Sequence, residues 1–506
     1  MASQPSLSFT IAVLMTAASL MAMGAGSALA QSSESEDGPG LIDGGGLELD
    51  TDSDDLLPPP ASATQADQQG RDRVEADRLR RFSLGQDSAF GDDGEADDDA
   101  LATEDADDDS ALDEAIIDPL LVLDDADVDA DIDPFAPIGI RRGPLTWFPA
   151  LDVAVGYDSN VDSDQASQDV RTVTVTPQLR VEGIGRRSTF DGTVIGSLTI
   201  FDTDREDERT VDADATYTYD LTTQTQIILR GAYSLDSETV SDDDIVDNAS
   251  ETTDDQEFSG VIGAQRDAGR LTISTEAELS RFLFDDTPLA DGGIQSNSDR
   301  ERFEGTLTLR LQRAEGPRLR PLIEVEAFAR RFDEDIDRNG LERDSEGYAL
   351  RAGVGFADDS ALRGEVTIGI AGERFDDESL EDVDTVTASA GLTWDVTALT
   401  SVTLDISTDL EATTLDGSGT AVEREATLGL NHALRRNVDL RIAGTVEDTQ
   451  FSDIDAETTT YTGAAGVTWR VSPVVAFRLD TSYEYEPDDD GDIERFTAEA
   501  GVTLAR

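Results

Sequence analysis

The segment Val402-Thr-Leu-Asp-Ile-Ser-Thr-Asp-Leu-Glu411 decides the fold of this protein. Apart from Thr408, every second residue through Leu410 is apolar, and polar residues fill the positions between them. Successive side chains of a β-strand point to opposite faces, whereas an α-helix repeats every 3.6 residues. A period of two therefore predicts a strand with one apolar face and one polar face.

The same period of two recurs from Trp147 to the end of the chain, for example in residues 386–394 and 438–447. Segments of about 10 to 14 residues alternate in this way, and clusters of Asp, Gly, Asn or Pro close each one, which is typical of transmembrane β-barrel strands. The count predicts an all-β fold, a transmembrane antiparallel up-and-down barrel of about 18 strands, with 16 as the alternative.

The connections between these segments alternate strictly between short and long. The tight links lie at residues 183–187, 221–224, 267–270, 315–318, 358–361, 397–400, 434–437 and 471–473. The long, mostly acidic links lie at residues 158–170, 202–208, 235–255, 285–300, 332–346, 375–384, 415–421, 450–457 and 487–493. Outer-membrane barrels combine short periplasmic turns with long extracellular loops, so we expect both ends of the barrel chain in the periplasm.

Aromatic residues cluster near the ends of the predicted strands. One group lies near the tight links: Trp147, Phe148, Phe190, Trp394 and Trp469. The other lies near the long links: Tyr157, Tyr233, Phe284, Phe332, Phe375, Phe451 and Tyr485. Amphipathic rings favour the membrane–water interface, so the pattern predicts two aromatic girdles on the lipid face.

The first 133 residues differ from the rest of the chain. Residues 1–30 contain an apolar run and end in Ala28-Leu-Ala30, which predicts a secretory signal peptide cleaved after Ala30, although no basic residue precedes the run. Residues 31–133 are rich in Asp, and we expect a disordered periplasmic segment because they contain too little apolar surface to offset the entropy of ordering. Residues 134–506 then form the barrel domain.

Composition excludes several classes of function. The 38 basic residues, all arginine, face 110 acidic residues, and the net charge of −72 argues against nucleic-acid binding. The chain has no cysteine and one histidine, His432, so we expect no metal site and no cofactor. The alternating aspartates of residues 125–133 lack the glycine and glutamate of a calcium-binding EF-hand loop.

A soluble β-sandwich or barrel is the alternative, because alternation alone does not say which face meets solvent. A large membrane barrel turns its apolar face to lipid and its polar face to the lumen. The signal peptide, the series of strands without a helix and the regular alternation of connections favour the membrane barrel.

The entry to the first strand carries a family resemblance. The lead-in Asp133-Pro-Phe-Ala-Pro-Ile-Gly139 and the turn Tyr157-Asp-Ser-Asn160 resemble the putative β-barrel porin 2 family of alphaproteobacterial outer-membrane proteins. The signature residues are Asp133, Pro134, Pro137, Gly139, Tyr157, Asp158 and Asn160. The resemblance implies a porin-like outer-membrane barrel without established catalytic residues. The chain departs from the usual aromatic C-terminal residue of such barrels, because it ends in Ala505-Arg506.

The predicted function is passive diffusion of small solutes, since a barrel of about 18 strands leaves a water-filled lumen. Because alternate residues of a strand face opposite sides of the sheet, the polar positions fall on the inner wall. The charged residues predicted there are Glu276, Glu278, Arg310, Glu324, Glu326, Arg351, Arg363, Glu365, Asp405, Arg441, Arg478, Asp480 and Arg495. Acids and arginines on opposed walls would create a transverse field, and mutual pairing along the wall is the alternative. The acidic loops predict a mouth that attracts cations.

A non-conducting scaffold or polysaccharide-associated barrel is the alternative function. An enzyme is not expected, because His432 lies at the turn end, away from mid-strand serines such as Ser389 and Ser407. Expected partners are outer-membrane lipid, lipopolysaccharide, the outer-membrane assembly machinery and divalent cations at the loops. The sequence leaves open whether copies of the chain form a homo-oligomer.

Overall fold

A computed structural model describes residues 135–506 except 162–167, 204, 206, 239–252, 290–291, 315–317, 357–360, 416, 453, 455 and 488–490. The predicted signal peptide, its cleavage at Ala30, the acidic segment and the signature residues Asp133 and Pro134 lie outside the described residues. Within the described part of the chain, no helix is long and apolar enough to cross a membrane.

Strands make up all of the regular structure in the described residues. They are β1 (Ile140–Arg142), β2 (Leu145–Asp158), β3 (Val170–Ile184), β4 (Ser188–Phe201), β5 (Glu208–Thr222), β6 (Thr225–Glu238), β7 (Thr253–Ala268), β8 (Leu271–Phe284), β9 (Thr287–Pro288), β10 (Ile294–Gln295), β11 (Arg302–Arg313), β12 (Leu319–Phe332), β13 (Ser345–Phe356), β14 (Leu362–Phe375), β15 (Val383–Thr397), β16 (Thr400–Ala412), β17 (Thr420–Arg435), β18 (Val438–Phe451), β19 (Glu457–Ser472), β20 (Val475–Glu486) and β21 (Ile493–Ala505).

The seven strands β2–β8 and the eleven strands β11–β21 form one closed antiparallel barrel of 18 strands. Each strand pairs with the next along the chain, β8 pairs with β11, and β21 pairs with β2 to close the sheet. The short strand β1 pairs with the start of β2, and β9 and β10 form a small hairpin in the connection between β8 and β11. The prediction of about 18 strands is confirmed.

The two ends of the barrel differ as the sequence predicts. We call one the short-turn end, where turns such as residues 223–224, 398–399 and 473–474 join the strands. The other is the long-loop end, with connections such as residues 285–301 and 333–344. The first residue of β2, Leu145, and the last residue of β21, Ala505, both lie at the short-turn end, because each connection reverses the direction of the chain.

The two faces of the sheet differ in polarity and exposure. On β2, Val153 and Val155 are 42% and 60% exposed, whereas Asp152 and Ala154 between them are 4% and 1% exposed. The first face is the convex outside of the barrel, where side chains diverge, and the second is the concave inside. Apolar side chains also cover the outside elsewhere, for example Ile368 at 64% exposure. This inverted arrangement is that of a membrane barrel and excludes the soluble alternative.

The aromatic residues follow the predicted girdles only in part. Trp147, Trp394 and Trp469 at the short-turn end and Tyr157 at the long-loop end are outward and 37–51% exposed. The predicted girdle positions of Phe148, Phe284, Phe332, Phe375 and Phe451 are wrong, because the strand register places all five rings on the inner face. Register alone sets the face of each residue, and in β8, β12, β14 and β18 the last residue falls inside.

We predict that a charge on the outer face destabilises the barrel according to its depth. Ile368→Arg lies at mid-strand in β14 and should lower the free energy of unfolding by about 2–4 kcal/mol, because the guanidinium would face hydrocarbon. Leu271→Arg, at the short-turn end of β8, is the matched control and should cost about 0–1 kcal/mol. Urea titration in lipid vesicles, followed by heat-modifiable gel mobility, measures both, and equal losses would contradict the membrane orientation of the sheet.

Candidate functional site: charged lumen and loop cap

All thirteen charged residues predicted for the lumen lie on the inner face of the sheet. The register pairs them with one another or with other inner residues, for example Arg310 with Glu324 and Arg478 with Thr468. The low exposure of its residues on β2, 4% for Asp152 and 1% for Ala154, identifies this face as the concave one, and side chains reach across several strands there. Arg310 of β11 contacts Glu365 of β14, and Arg230 of β6 lies 2.9 Å from Glu276 of β8.

A ladder of ion pairs runs across β6–β14, and we call it the first charged wall. Arg351 lies 3.0 Å from Glu324 and 2.9 Å from Glu326, and Arg310 lies 3.8 Å from Glu324. The ladder continues through Glu365 and through the pair of Arg230 and Glu276. These side chains remain 17–38% exposed, so they keep contact with the space inside the barrel.

A second charged wall lies where β20, β21 and β2 meet. Arg478 lies 2.7 Å from Asp152 and 3.0 Å from Asp480, and it also contacts Glu499. The hydroxyl of Thr503 donates to Asp152 at 2.6 Å. The guanidinium of Arg478 thus contacts three carboxylates at the seam between the first and the last strand of the barrel.

The two charged walls face each other. In the order of strands around the barrel, β11 and β12 lie about half a turn from β21 and β2. Each wall combines arginines with carboxylates at contact distance, so the charges compensate one another locally. Of the predicted residues, Glu278, Arg363, Asp405 and Arg441 lie outside these walls, and Arg363 instead contacts Asp395 near the short-turn end.

The side of the barrel formed by β16 and β17 is acidic. Its inner positions carry Asp405, Asp409, Glu411, Glu423 and Glu425, which we call the acidic wall. Neither β15 nor β16 contains an arginine, and Arg424 of β17 faces outward, where it lies 2.9 Å from Asp448. Of these five residues only Asp405 is among those predicted for the lumen, although the other four also lie at alternating inward positions of their strands.

Five strands that run toward the long loops end in an inward phenylalanine. These residues form the phenylalanine collar: Phe201, Phe284, Phe332, Phe375 and Phe451. In each case the N–H of the following residue donates to a carbonyl of the neighbouring strand or its loop at 2.8–3.0 Å. The rings therefore fill the inner side of the barrel where the strands end and the loops begin.

Three long loops above the collar bind one another. We call the described residues within 285–301, 333–344 and 413–419 the cap. The guanidinium of Arg338 donates to Asp299 at 2.7 Å, which joins the first two loops. Arg343 is 3% exposed and donates to Asp337 at 2.5 Å, to the carbonyls of Thr413 and Leu415 at 2.6 and 2.9 Å, and to that of Ser418. One arginine thus joins the second and third loops.

A buried ion pair lies among the strand ends beneath the cap. Glu373 of β14 is fully buried and accepts hydrogen bonds from Arg330 at 2.8 and 2.9 Å, from Ser345 at 2.6 Å and from Thr420 at 2.8 Å. Since Thr420 begins β17, three strands away, this contact spans the concave side of the barrel. Gly419 comes so close to the Phe375 ring that a Cβ there would lie 2.6 Å from it. The loops therefore lean inward over the lumen.

Electrostatics favours the closed arrangement of the cap at neutral pH. Burial favours the neutral form of Asp299, but hydrogen bonds from the side chain and the backbone N–H of Arg338 outweigh it, and the pKa of Asp299 lies below its ordinary value. A lowered pKa keeps this carboxylate ionised, so its contribution to stability is present above the ordinary pKa and is lost as the pH falls through the lowered one.

Two of the signature residues, Asp158 and Asn160, form contacts across the seam between the first and the last strand. Asp158 accepts two hydrogen bonds from Arg495 of β21 at 2.9 and 2.6 Å, and the amide of Asn160 donates to the carbonyl of Glu494 at 3.3 Å. Gly139 has a φ of +70°, and a Cβ there would lie 2.6 Å from Thr146, so the lead-in requires glycine. Tyr157 faces outward, and Pro137 is exposed.

His432 lies on the outer face near the short-turn end. Its Nδ1 is 2.9 Å from the hydroxyl of Thr400, its partner in the register. Ser389 and Ser407 lie on the inner face, and Ser389 instead contacts the hydroxyl of Thr367 at 2.7 Å. The structure therefore does not bring the histidine and these serines together.

Comparisons with known proteins give a family and a set of structures. The family described as putative beta-barrel porin 2 matches residues 133–506. No curated protein matches the sequence. A mutant ferric enterobactin receptor from Pseudomonas aeruginosa in complex with enterobactin has 9% identity and a TM-score of 0.40, covering 71% of this chain and 81% of that chain. The FrpB iron transporter from Neisseria meningitidis has 9% identity and a TM-score of 0.37, with 69% and 63% covered. The outer membrane protein OpdK from Pseudomonas aeruginosa has 9% identity and a TM-score of 0.36, with 71% and 99% covered.

We predict that Arg478→Ala destabilises the closed barrel. The change leaves Asp152, Asp480 and Glu499 without their shared cation and should lower the free energy of unfolding by about 1–3 kcal/mol, since the group is only partly exposed. Arg171→Ala is the control, because Arg171 is 82% exposed and lies 3.8 Å from Asp202. Urea titration in micelles compares them, and an equal effect of the two variants would rule out a special role for the seam.

We predict that Arg343→Ala loosens the third loop of the cap. Three backbone carbonyls lose their donor, so the amides of residues 413–420 should exchange hydrogen at least about tenfold faster. Arg270→Ala, in a turn at the opposite end, is the control and should leave that exchange unchanged. Hydrogen exchange with mass spectrometry measures both, and unchanged protection in Arg343→Ala would mean that other contacts hold the loop.

Proposed function

The chain belongs to the putative beta-barrel porin 2 family of outer-membrane barrels, and from this premise we propose that it lets small solutes diffuse passively through its lumen. The observation that carries the proposal is the inner wall of the closed 18-strand barrel. Its arginines and carboxylates face inward yet remain 17–38% exposed on the first charged wall, as expected of a lumen that water enters. Barrels of this strand number leave a lumen that side chains do not fill.

We propose that the pore prefers cations. The acidic wall adds five carboxylates to an inner face on which each arginine of the two charged walls already contacts one or more carboxylates, so acidic groups outnumber arginines there. The excess negative potential raises the local concentration of cations and lowers that of anions. The net charge of the whole chain, −72, also attracts cations and repels anions.

The cap sets the size limit in this proposal. It leans over the part of the mouth between β8 and β17 and narrows the opening there. Small hydrated solutes fit such a narrowed opening better than large ones. Replacing Arg343 would remove its hydrogen bonds to the third loop of the cap and would widen the opening.

The orientation follows from the usual asymmetry of such barrels. We propose that the long loops face the cell exterior and that both ends of the barrel chain lie in the periplasm. The outer-membrane assembly machinery would insert the barrel, and divalent cations would bind at the acidic loops. The proposal assigns the chain no enzymatic activity.

A non-conducting scaffold or polysaccharide-associated barrel is the second candidate. The cap favours it, because the phenylalanine collar and the buried pair of Arg330 and Glu373 give the long-loop end an ordered, packed interior. If the loops close the remaining side of the mouth as well, the barrel would conduct little.

Single-channel recording of the full-length purified protein in planar bilayers tests the proposal. Stable conductance steps with a cation-preferring reversal potential in a salt gradient are expected. The double variant Asp409→Asn, Glu423→Gln removes two charges of the acidic wall and should reduce the cation-to-anion permeability ratio at least about twofold.

The matched control is Asp448→Asn, Glu494→Gln, which removes two outward charges and should leave the permeability ratio unchanged. Folding of every protein is checked by heat-modifiable gel mobility. Folded protein that gives no conductance would overturn the porin and favour the scaffold. Conductance with equal selectivity in both double variants would overturn the role of the acidic wall.

A further inference from the structure

A group of exposed arginines lies at the short-turn end of the barrel. We call it the arginine rim: Arg141, Arg142, Arg186, Arg187, Arg435 and Arg436. The first two belong to β1, the next two to the turn between β3 and β4, and the last two to the end of β17 and the turn that follows it. In the order of strands these places lie on one side of the mouth, from β17 through β21 and β2 to β4.

The described residues leave the charge of the arginine rim uncompensated. All six residues are exposed, and none of them forms an ion pair with a described carboxylate. The carboxylates described near this side of the mouth already have partners. Arg180 lies 2.9 Å from Glu182 and 3.2 Å from Asp191, and Arg470 contacts Asp439. The arginine rim therefore offers free guanidinium groups to an acidic ligand.

One further arginine continues this surface into the lumen. Arg441 is exposed on the inner face of β18, in a row with Asn431 of β17 and Ser401 of β16. These residues line a cavity of about 330 Å³, and the two carboxylates that also line it, Asp395 and Asp439, contact other arginines. A lipid outside the barrel cannot reach Arg441, whereas a chain segment at the mouth can.

The chain itself supplies an acidic ligand at this end. Residues 87–133 contain 21 Asp and Glu and no Lys or Arg. Asp133 precedes Ile140, the first residue of β1, by seven positions, and β1 itself carries Arg141 and Arg142. The acidic stretch is therefore tied covalently to the place where the free guanidinium groups are concentrated.

The length of the acidic stretch suits the size of the arginine rim. A disordered chain of 47 residues, as predicted for residues 87–133, spans about 35–40 Å on average. The rim extends over about four strand spacings from β2 to β18, or roughly 20 Å, and over fewer from β2 to the turn between β3 and β4. One segment can thus contact all three parts of the rim at once.

Many weak contacts would hold the segment. A single exposed ion pair contributes only about 0–1 kcal/mol, because water and salt screen it. A covalent tether raises the effective concentration of the segment to roughly millimolar, so several such pairs act together without the entropy cost of bringing two molecules together. Guanidinium and carboxylate also match in geometry, since two parallel hydrogen bonds join them.

We propose that residues 87–133 dock on the arginine rim of their own barrel. The carboxylates of the segment contact the six rim arginines, and one of them reaches Arg441 inside the mouth. The segment then covers part of the opening at the short-turn end. This inference requires neither conduction nor a particular orientation in the membrane, because the segment and the rim lie at the same end of the barrel.

Fluorescence energy transfer within the full-length protein tests the docking. The chain contains no cysteine, so Ser88→Cys and Thr223→Cys supply the only two thiols for a dye pair. The first lies near the start of the acidic stretch, and the second lies in an exposed turn of the short-turn end. In uncharged detergent at low salt, transfer should be efficient. At about 1 M salt, where the Debye length is about 3 Å, the efficiency should fall at least about twofold.

Removing charge from the arginine rim should have the same effect as salt. Arg142→Gln, Arg187→Gln, Arg435→Gln and Arg436→Gln together should lower the efficiency at low salt at least about twofold. Lysine at the same four positions keeps the charge and should keep the efficient transfer, which separates an effect of charge from one of local shape. Heat-modifiable gel mobility verifies that each variant folds.

The matched control removes four charges at the long-loop end. Arg171→Gln, Arg209→Gln, Arg331→Gln and Arg374→Gln change the net charge equally, and the four native side chains are at least 40% exposed. Transfer in this variant should equal that of the labelled parent protein.

Unchanged transfer in the folded glutamine variant of the rim would overturn the proposal, as would an equal loss in the control. Efficient transfer in detergent that disappears in vesicles containing phosphatidylglycerol would assign the rim to anionic lipid and would also overturn it. The measurement needs no conducting pore, so failure of this inference and failure of the porin are distinguishable.

Discussion

Closure of the sheet is the constraint on which the rest of the structure depends. In hydrocarbon every backbone N–H and C=O must find a partner within the protein, and a sheet meets this condition only without an edge. Residues 150–158 of β2 pair with residues 497–505 of β21, more than 300 positions away in the chain. The ion pairs of Arg478 with Asp152 and of Arg495 with Asp158 stabilise this seam on its inner side.

Curvature follows from closure and gives the two faces their different chemistry. Outside, side chains diverge, so apolar residues such as Ile368 and Val386 are more than 60% exposed to the surrounding lipid. Inside, side chains converge, and a guanidinium reaches carboxylates on strands that are not its neighbours, as Arg310 reaches Glu365. The charged walls of the lumen are thus a product of curvature, and a flat sheet of the same sequence would not form them.

The long-loop end adds an architecture that the short-turn end lacks in the described residues. There the phenylalanine collar lines the inner side of the barrel, Arg343 joins two loops of the cap above it, and the pair of Arg330 and Glu373 lies among the strand ends. Burying these charges is tolerated because each is paired and hydrogen-bonded. The same end of the barrel therefore carries both the inward phenylalanines and the loops that are joined above them.

Sequence by itself determined the strands, their number, the alternation of short and long connections and the faces of the thirteen lumen residues. These follow from neighbouring residues in the chain, because the period of two is a local property of each strand. Tertiary structure decided that Phe284 and Phe451 turn inward, that Arg310 meets Glu365, and that residues 333–344 and 413–419 join above the lumen. Such contacts depend on register, curvature and loop paths that bring distant residues together, and no local pattern encodes those distances.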